Sequence, residues 1–128
     1  MKEDIDSLLA KGHELASQTF DHSSCRAVSL SVFQDDVRNG REGVEEIAGH
    51  GSANFAYPYG HVTLWAKRKL GPELTSSRGI FPGLNGPEID LSLLRANRLY
   101  GDVDECGQDV TVIGRSVLGL KVKQGTPK

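Results

Sequence analysis

"CRAVSLSVFQDDVRNGREGVEEIAGHG", residues 25–51, decides what kind of sheet this chain builds. Val28, Leu30 and Val32 alternate with Ser29 and Ser31, a period of two that predicts a half-buried strand over 25–33. Asn39-Gly40 follows as a two-residue hairpin signal, because both residues tolerate the positive φ of a type I′ turn. The second half also reads as helix: Val44, Ile47 and Ala48 with Glu42, Glu45 and Glu46 form a short helical pattern closed by Gly49. A hairpin-like reversal followed by a helical turn is the expectation. A reversal at that point makes the sheet antiparallel.

Working outward, Ile5, Leu8, Leu9, Leu15, Ala16 and Phe20 recur at three- and four-residue steps and predict an amphipathic helix over 3–19. Glu3, Asp4 and Asp6 suit the positive end of its dipole. Gly12 falls on the apolar face, where it would admit another backbone. "HVTLWAKRKL" (61–70) alternates Val62, Leu64 and Ala66 against Thr63, Trp65 and Lys67, a strand pattern. Lys67, Arg68 and Lys69 would charge its edge. Residues 71–88 read mostly as loop, one that is functional or mobile or that conceals a short strand at 79–81. Pro87, Glu88 and Asp90 then open a second helix near 88–98. At the C-terminus, "LYGDV" and "DVTVIG" flank a turn as a hairpin, the even-parity apolar positions from Val110 to Val122 continue as strand broken by a bend or turn near Gly114 or Gly119, and 124–128 is a frayed tail. The expected fold is one α+β domain over 1–128. It has a mostly antiparallel sheet of about four to six strands, with the N-terminal helix and the helix near 88–98 packed on one face.

Composition supports a single globular core. Of 128 residues 38% are apolar, 25% charged and only 6% aromatic, so the core rests on aliphatic side chains. A net charge of −2 and a pI near 6.1 speak against a nucleic-acid partner. Residues 1–60 carry 5 basic and 10 acidic side chains and residues 61–128 carry 10 and 7. That asymmetry suits self-association, and a symmetric dimer is expected. No apolar run approaches the roughly 20 residues of a membrane span, and no leader pattern opens the chain. The expectation is a cytoplasmic protein without a membrane partner. Cys25 and Cys106 form no disulfide framework and are expected to be unpaired.

Function points to "GHGSANFAYPYGH" (49–61). His50 and His61 bracket Phe55, Tyr57 and Tyr59, and Tyr57-Pro58-Tyr59-Gly60 suits a turn with Pro at its second position. Two histidines separated by a ten-residue gap match no zinc spacing, and nothing in the sequence asks for His13, His22 or a distant carboxylate as a third ligand, so no metal is expected. Phosphate-loop, dinucleotide and nucleophile-elbow patterns are absent, so no cofactor is expected either. The leading reading is non-catalytic: a small molecule or partner chain held by Tyr57, Tyr59 and Trp65, with His61 and Arg78 alongside. The alternative is a small hydrolase or lyase with His50 or His61 as general base and an arginine such as Arg78 fixing an anionic substrate.

Overall fold

The structure, a computed structural model, describes residues 1–97 and the strand residues 99–100 and 103–104. Its helices are α1 (Lys2–Ala10), α2 (Leu30–Ala48) and α3 (Leu64–Leu70). Its strands are β1 (Asn54–Ala56), β2 (Ser76–Arg78) and the short antiparallel pair β3 (Leu99–Tyr100) and β4 (Val103–Asp104). Cys106, the 110–122 strand pattern and the tail at 124–128 lie outside the described residues.

The stretch quoted first is one helix. Ser29 is its N-cap, its hydroxyl accepting the Val32 N–H at 3.4 Å, and Gly49 closes it with φ 77°. The serines that read as the wet face of a strand are therefore a capping signal. Phe33, Asp36, Val37 and Gly40 are buried, the i, i+3, i+4, i+7 stripe of a helix laid on a core. Two of those four positions hold Asp and Gly, which hid the stripe from a hydrophobicity count. The hairpin expected at Asn39-Gly40 does not form; Gly40 lies inside the helix. A Cβ there would sit 2.5 Å from the Thr19 carbonyl carbon and 2.5 Å from Ser17 Oγ, so glycine allows α2 to rest directly on the preceding segment.

With that helix in place the sheet becomes parallel. Phe55 of β1 pairs with Ser77 of β2 on one side and with Ser17 on the other, both parallel, and Arg78 of β2 pairs in parallel with Leu94. Four extended segments thus lie side by side in sequence order, with α2 and α3 in the connections between the first three. Parallel neighbours need such crossovers, whereas a hairpin cannot supply them. The expected mostly antiparallel sheet is overturned.

Other expectations fall for local reasons. The first helix stops at Ala10 rather than 19, and Gly12, at φ 84°, turns the chain away instead of admitting a neighbour. Leu15 and Ala16 lead into the extended pairing at Ser17. Residues 64–70 are helical: Thr63 caps Ala66 N–H at 3.2 Å, and Ala66 and Leu70 are buried four residues apart. Lys67, Arg68 and Lys69 then occupy the last turn, where the helix dipole favours cations. A short strand does lie in 71–88, at Ser76–Arg78, just before the 79–81 alternative. No helix forms within the described part of 88–98. Asp90 instead caps a turn, its carboxylate accepting Ser92 N–H at 3.0 Å and its carbonyl Leu93 N–H at 2.9 Å.

The core fills the space between β1, α2 and α3. Phe55 and Tyr57 share a face by strand alternation and pack with Phe33, Val37, Ala66, Leu70 and Leu74. Tyr57 stacks parallel to Phe33 at 6.4 Å and meets Phe55 edge-on at 5.1 Å. Among the described residues no helix is long and apolar enough to cross a membrane.

Candidate functional site

Two ends of this sheet are built differently. At the entry to β1 and β2, the Glu14 carboxylate accepts from Ser52 Oγ at 2.7 Å and from Asn54 Nδ2 at 2.8 and 2.9 Å, while Ser76 Oγ donates to Asn54 Oδ1 at 2.7 Å. Each contact ties one segment to the next. At the exit, the connections after Ser17 and after β1 bring aromatic and imidazole rings together. Ligands of parallel α/β folds collect at that carboxyl end of the strands.

Three non-glycine residues among those described have positive φ: Thr19 at 62°, His22 at 56° and Tyr59 at 57°. All three lie in these two exit connections. Such backbone is costly for an L-residue and persists only where its surroundings fix it. For Tyr59 the cause is a turn. Gly60 N–H donates to the Tyr57 carbonyl at 2.9 Å, which puts Pro58 second and Tyr59 third, a place where positive φ ordinarily selects Gly or Asn. Gly60 itself has φ 66°, and a Cβ on it would lie 2.3 Å from Ile80, so this turn is wedged against the next connection.

The turn lifts Tyr59 out of the core and beside two imidazoles. His22 meets it edge-on with ring centroids 4.6 Å apart, and His61 is tilted against it at 5.6 Å. Ser24 Oγ lies 2.8 Å from His61 Nδ1, and Cys25 Sγ donates to the His61 carbonyl at 3.0 Å. His61 is thus gripped by ring and by backbone. The buried Ser24 hydroxyl also accepts Arg26 N–H at 3.2 Å. With Nδ1 engaged, Nε2 is the nitrogen left to exchange a proton with anything bound here. A cleft of about 280 Å³ adjoins this turn, with Arg26, Gly60, Thr63 and Phe81 among its walls. A larger cleft of about 550 Å³ lies along α2, between residues such as Arg38, Arg41 and Glu73, and holds no histidine.

The structure separates the residues singled out in the sequence. Tyr59 and His61 come together. Tyr57 is buried in the core at 2% exposure, and burial foremost, with Cys25 and Asp90 nearby, pushes its phenol up to about 12. Trp65 stands exposed on α3, and Arg78 is exposed at the end of β2 with its guanidinium 3.4 Å from the Gly79 carbonyl. His50 precedes β1 and His61 follows it, so a strand divides the pair. Among the described residues no three His, Cys, Asp or Glu side chains are grouped to hold a metal ion. Ser24 and Asp36 were not identified from the sequence. Asp36 accepts the backbone N–H groups of Phe20, Asp21 and Ser23, around His22. Burial raises its pKa, but the Asp21 amide and the groups of Ser23 outweigh that and hold it below the usual carboxylate value. Its helical partner at four residues, Gly40, was the available signal.

Solved structures share this fold. BA0330 of Bacillus anthracis has a crystal structure that matches with a TM-score of 0.67 at 18% identity, over 91% of this chain and 36% of its own. BC0361, a polysaccharide deacetylase from Bacillus cereus, matches with 0.62 at 18% identity, over 73% of this chain and 30% of its own. The chain spans about a third of the length of these structures. At that identity the likeness shows the fold. No curated protein sequence matches the chain. A family model for polysaccharide deacetylase matches residues 1–71, which takes in α1, α2, β1, α3 and both site connections. A family of enzymes overturns the expected non-catalytic binding domain. On that match, which extends over more than half of its length, the chain belongs to the polysaccharide deacetylase family.

Proposed function

We propose that the chain contributes to hydrolytic removal of acetyl groups from a polysaccharide, with His22, Tyr59 and His61 at the reacting end. One observation carries the reading: three rings from two adjacent strand exits converge, and the imidazole of His61 is fixed through Ser24. Hydrolysis needs a water oxygen to attack the acetyl carbonyl and a base to take the proton that water gives up. His61 Nε2 serves as that base when the ring carries its own proton on Nδ1, facing Ser24. The proton then passes to the departing nitrogen or oxygen of the sugar, so that acetate and a free amine or hydroxyl result. Tyr59, with a phenol at the rim and an apolar ring face, suits a sugar that offers both C–H and O–H surface. His22, edge-on to that ring, fixes its tilt.

The test is acetate release from an N-acetylated glucosamine polymer and from an O-acetylated xylan. His61→Ala should lower kcat/KM by about a hundredfold or more, as for loss of a general base. Trp65→Ala, on the outer face of α3, should stay within about twofold. No acetate from either polymer, or full activity in His61→Ala, would overturn the assignment.

A further inference from the structure

We infer that Asp36 of α2 is a positioning residue for this site, holding the turn that presents His22. The inference rests on the deacetylase reading of that site. Asp36 is only 5% exposed, and among the described residues no cation forms an ion pair with it. A buried carboxylate must be satisfied by other donors. Here the donors are main-chain amides from a single turn: Oδ1 accepts Asp21 N–H at 2.7 Å and shares Phe20 N–H, at 3.0 Å, with the Asp36 carbonyl at 3.1 Å, and Oδ2 accepts Ser23 N–H at 3.2 Å. The three amides bracket His22, and Thr19 and His22 are the two positive-φ residues of this turn. The carboxylate therefore supplies the over-determination that such backbone requires.

Its distance from the turn is set separately. Gly40, one helical turn along the same face, lets α2 approach so closely that a Cβ would meet Phe20 N at 2.8 Å. Asp36 reaches the amides from that distance with a short side chain. Glutamate would retain the charge but add a methylene. Asparagine would keep one acceptor and turn an N–H₂ toward an N–H donor. A mere staple between helix and strand could be replaced without moving His22; a positioning residue could not.

Asp36→Asn and Asp36→Glu are compared with wild type by acetate release, amide exchange and the nuclear Overhauser contact between the His22 and Tyr59 rings. In Asp36→Asn, the Asp21 and Ser23 amides should lose at least about tenfold of their protection, while Phe20, which also donates to the Asp36 carbonyl at 3.1 Å, and the amides of α3 keep theirs. The ring contact should weaken, and kcat should fall at least about tenfold with KM within about twofold. Asp36→Glu should recover part of the ring contact and of kcat, and it stands in if the asparagine variant fails to fold. Loss of amide protection with kcat and ring contact unchanged would overturn the inference. If wild type releases no acetate, the deacetylase reading fails by itself. The ring contact then decides: weakened in the variants it supports the positioning role, and unchanged it overturns it.

Discussion

Tyr57 and Tyr59 are two residues apart, and one turn gives them opposite fates. Tyr57 continues the strand and enters the core against Phe33; Tyr59, at φ 57°, leaves it for the histidines. Ionising a buried phenol strips the anion of water, so its pKa stands at about 12 against an ordinary 10. The folded-state value is the higher one, so the phenol's contribution to stability is complete below pH 10 and is lost as pH rises toward 12. Tyr57→Phe should keep the fold and flatten that alkaline limb, read from urea unfolding midpoints at pH 9, 10 and 11. A wild-type limb no steeper than the variant's would contradict the burial of this ring.

At the scale of elements, α2 makes an opposed prediction for two glycines three residues apart. Alanine is the better helix former by about 1 kcal/mol. At Gly43 the nearest atom to a new Cβ is Phe20 Cδ2 at 4.0 Å, so Gly43→Ala should stabilise by up to about that amount. At Gly40 the Cβ would strike backbone, and Gly40→Ala should destabilise by about 1–3 kcal/mol. Thermal melts of the two variants, moving in opposite directions, check both. These positions also show what was legible. The cap at Ser29, the closure at Gly49 and the turn at Pro58 are local chemistry, and the closure and the turn were readable. The inner stripe of α2 was not, because Asp36 and Gly40 are chosen for what the 17–23 segment needs and not for hydrophobicity. Strand-like alternation at 28–32 and 62–66 was accidental, since Val32, Leu64 and Trp65 end up exposed on helices. Tyr59 and His61 could be named as candidates, but Ser24 and Asp36 depend on contacts across 37 and 13–16 residues that no local pattern carries.

Across the whole molecule, apolar surface remains in view. Phe20, Trp65 and Phe81 are 68%, 66% and 67% exposed, and α1 buries none of its residues. Exposed apolar side chains of this size leave area that a second copy can cover. Sedimentation of the 13.9 kDa chain at micromolar concentration should therefore show a heavier species, and a purely monomeric boundary would refute it.

The order of the parallel segments has a consequence for how the chain is made. Ser17, Phe55, Ser77 and Leu94 lie in a row that repeats their order in the sequence, so each segment pairs with the one emerging just before it. A sheet that inserts later strands between earlier ones must hold an edge open until a distant partner arrives, exposed to wrong pairing in the meantime. Here the two connections among the first three segments each run through one helix, a loop closure whose entropy grows only slowly with length. Growth from the amino-terminal side is then a sequence of short returns, matched to the direction in which a ribosome delivers the chain.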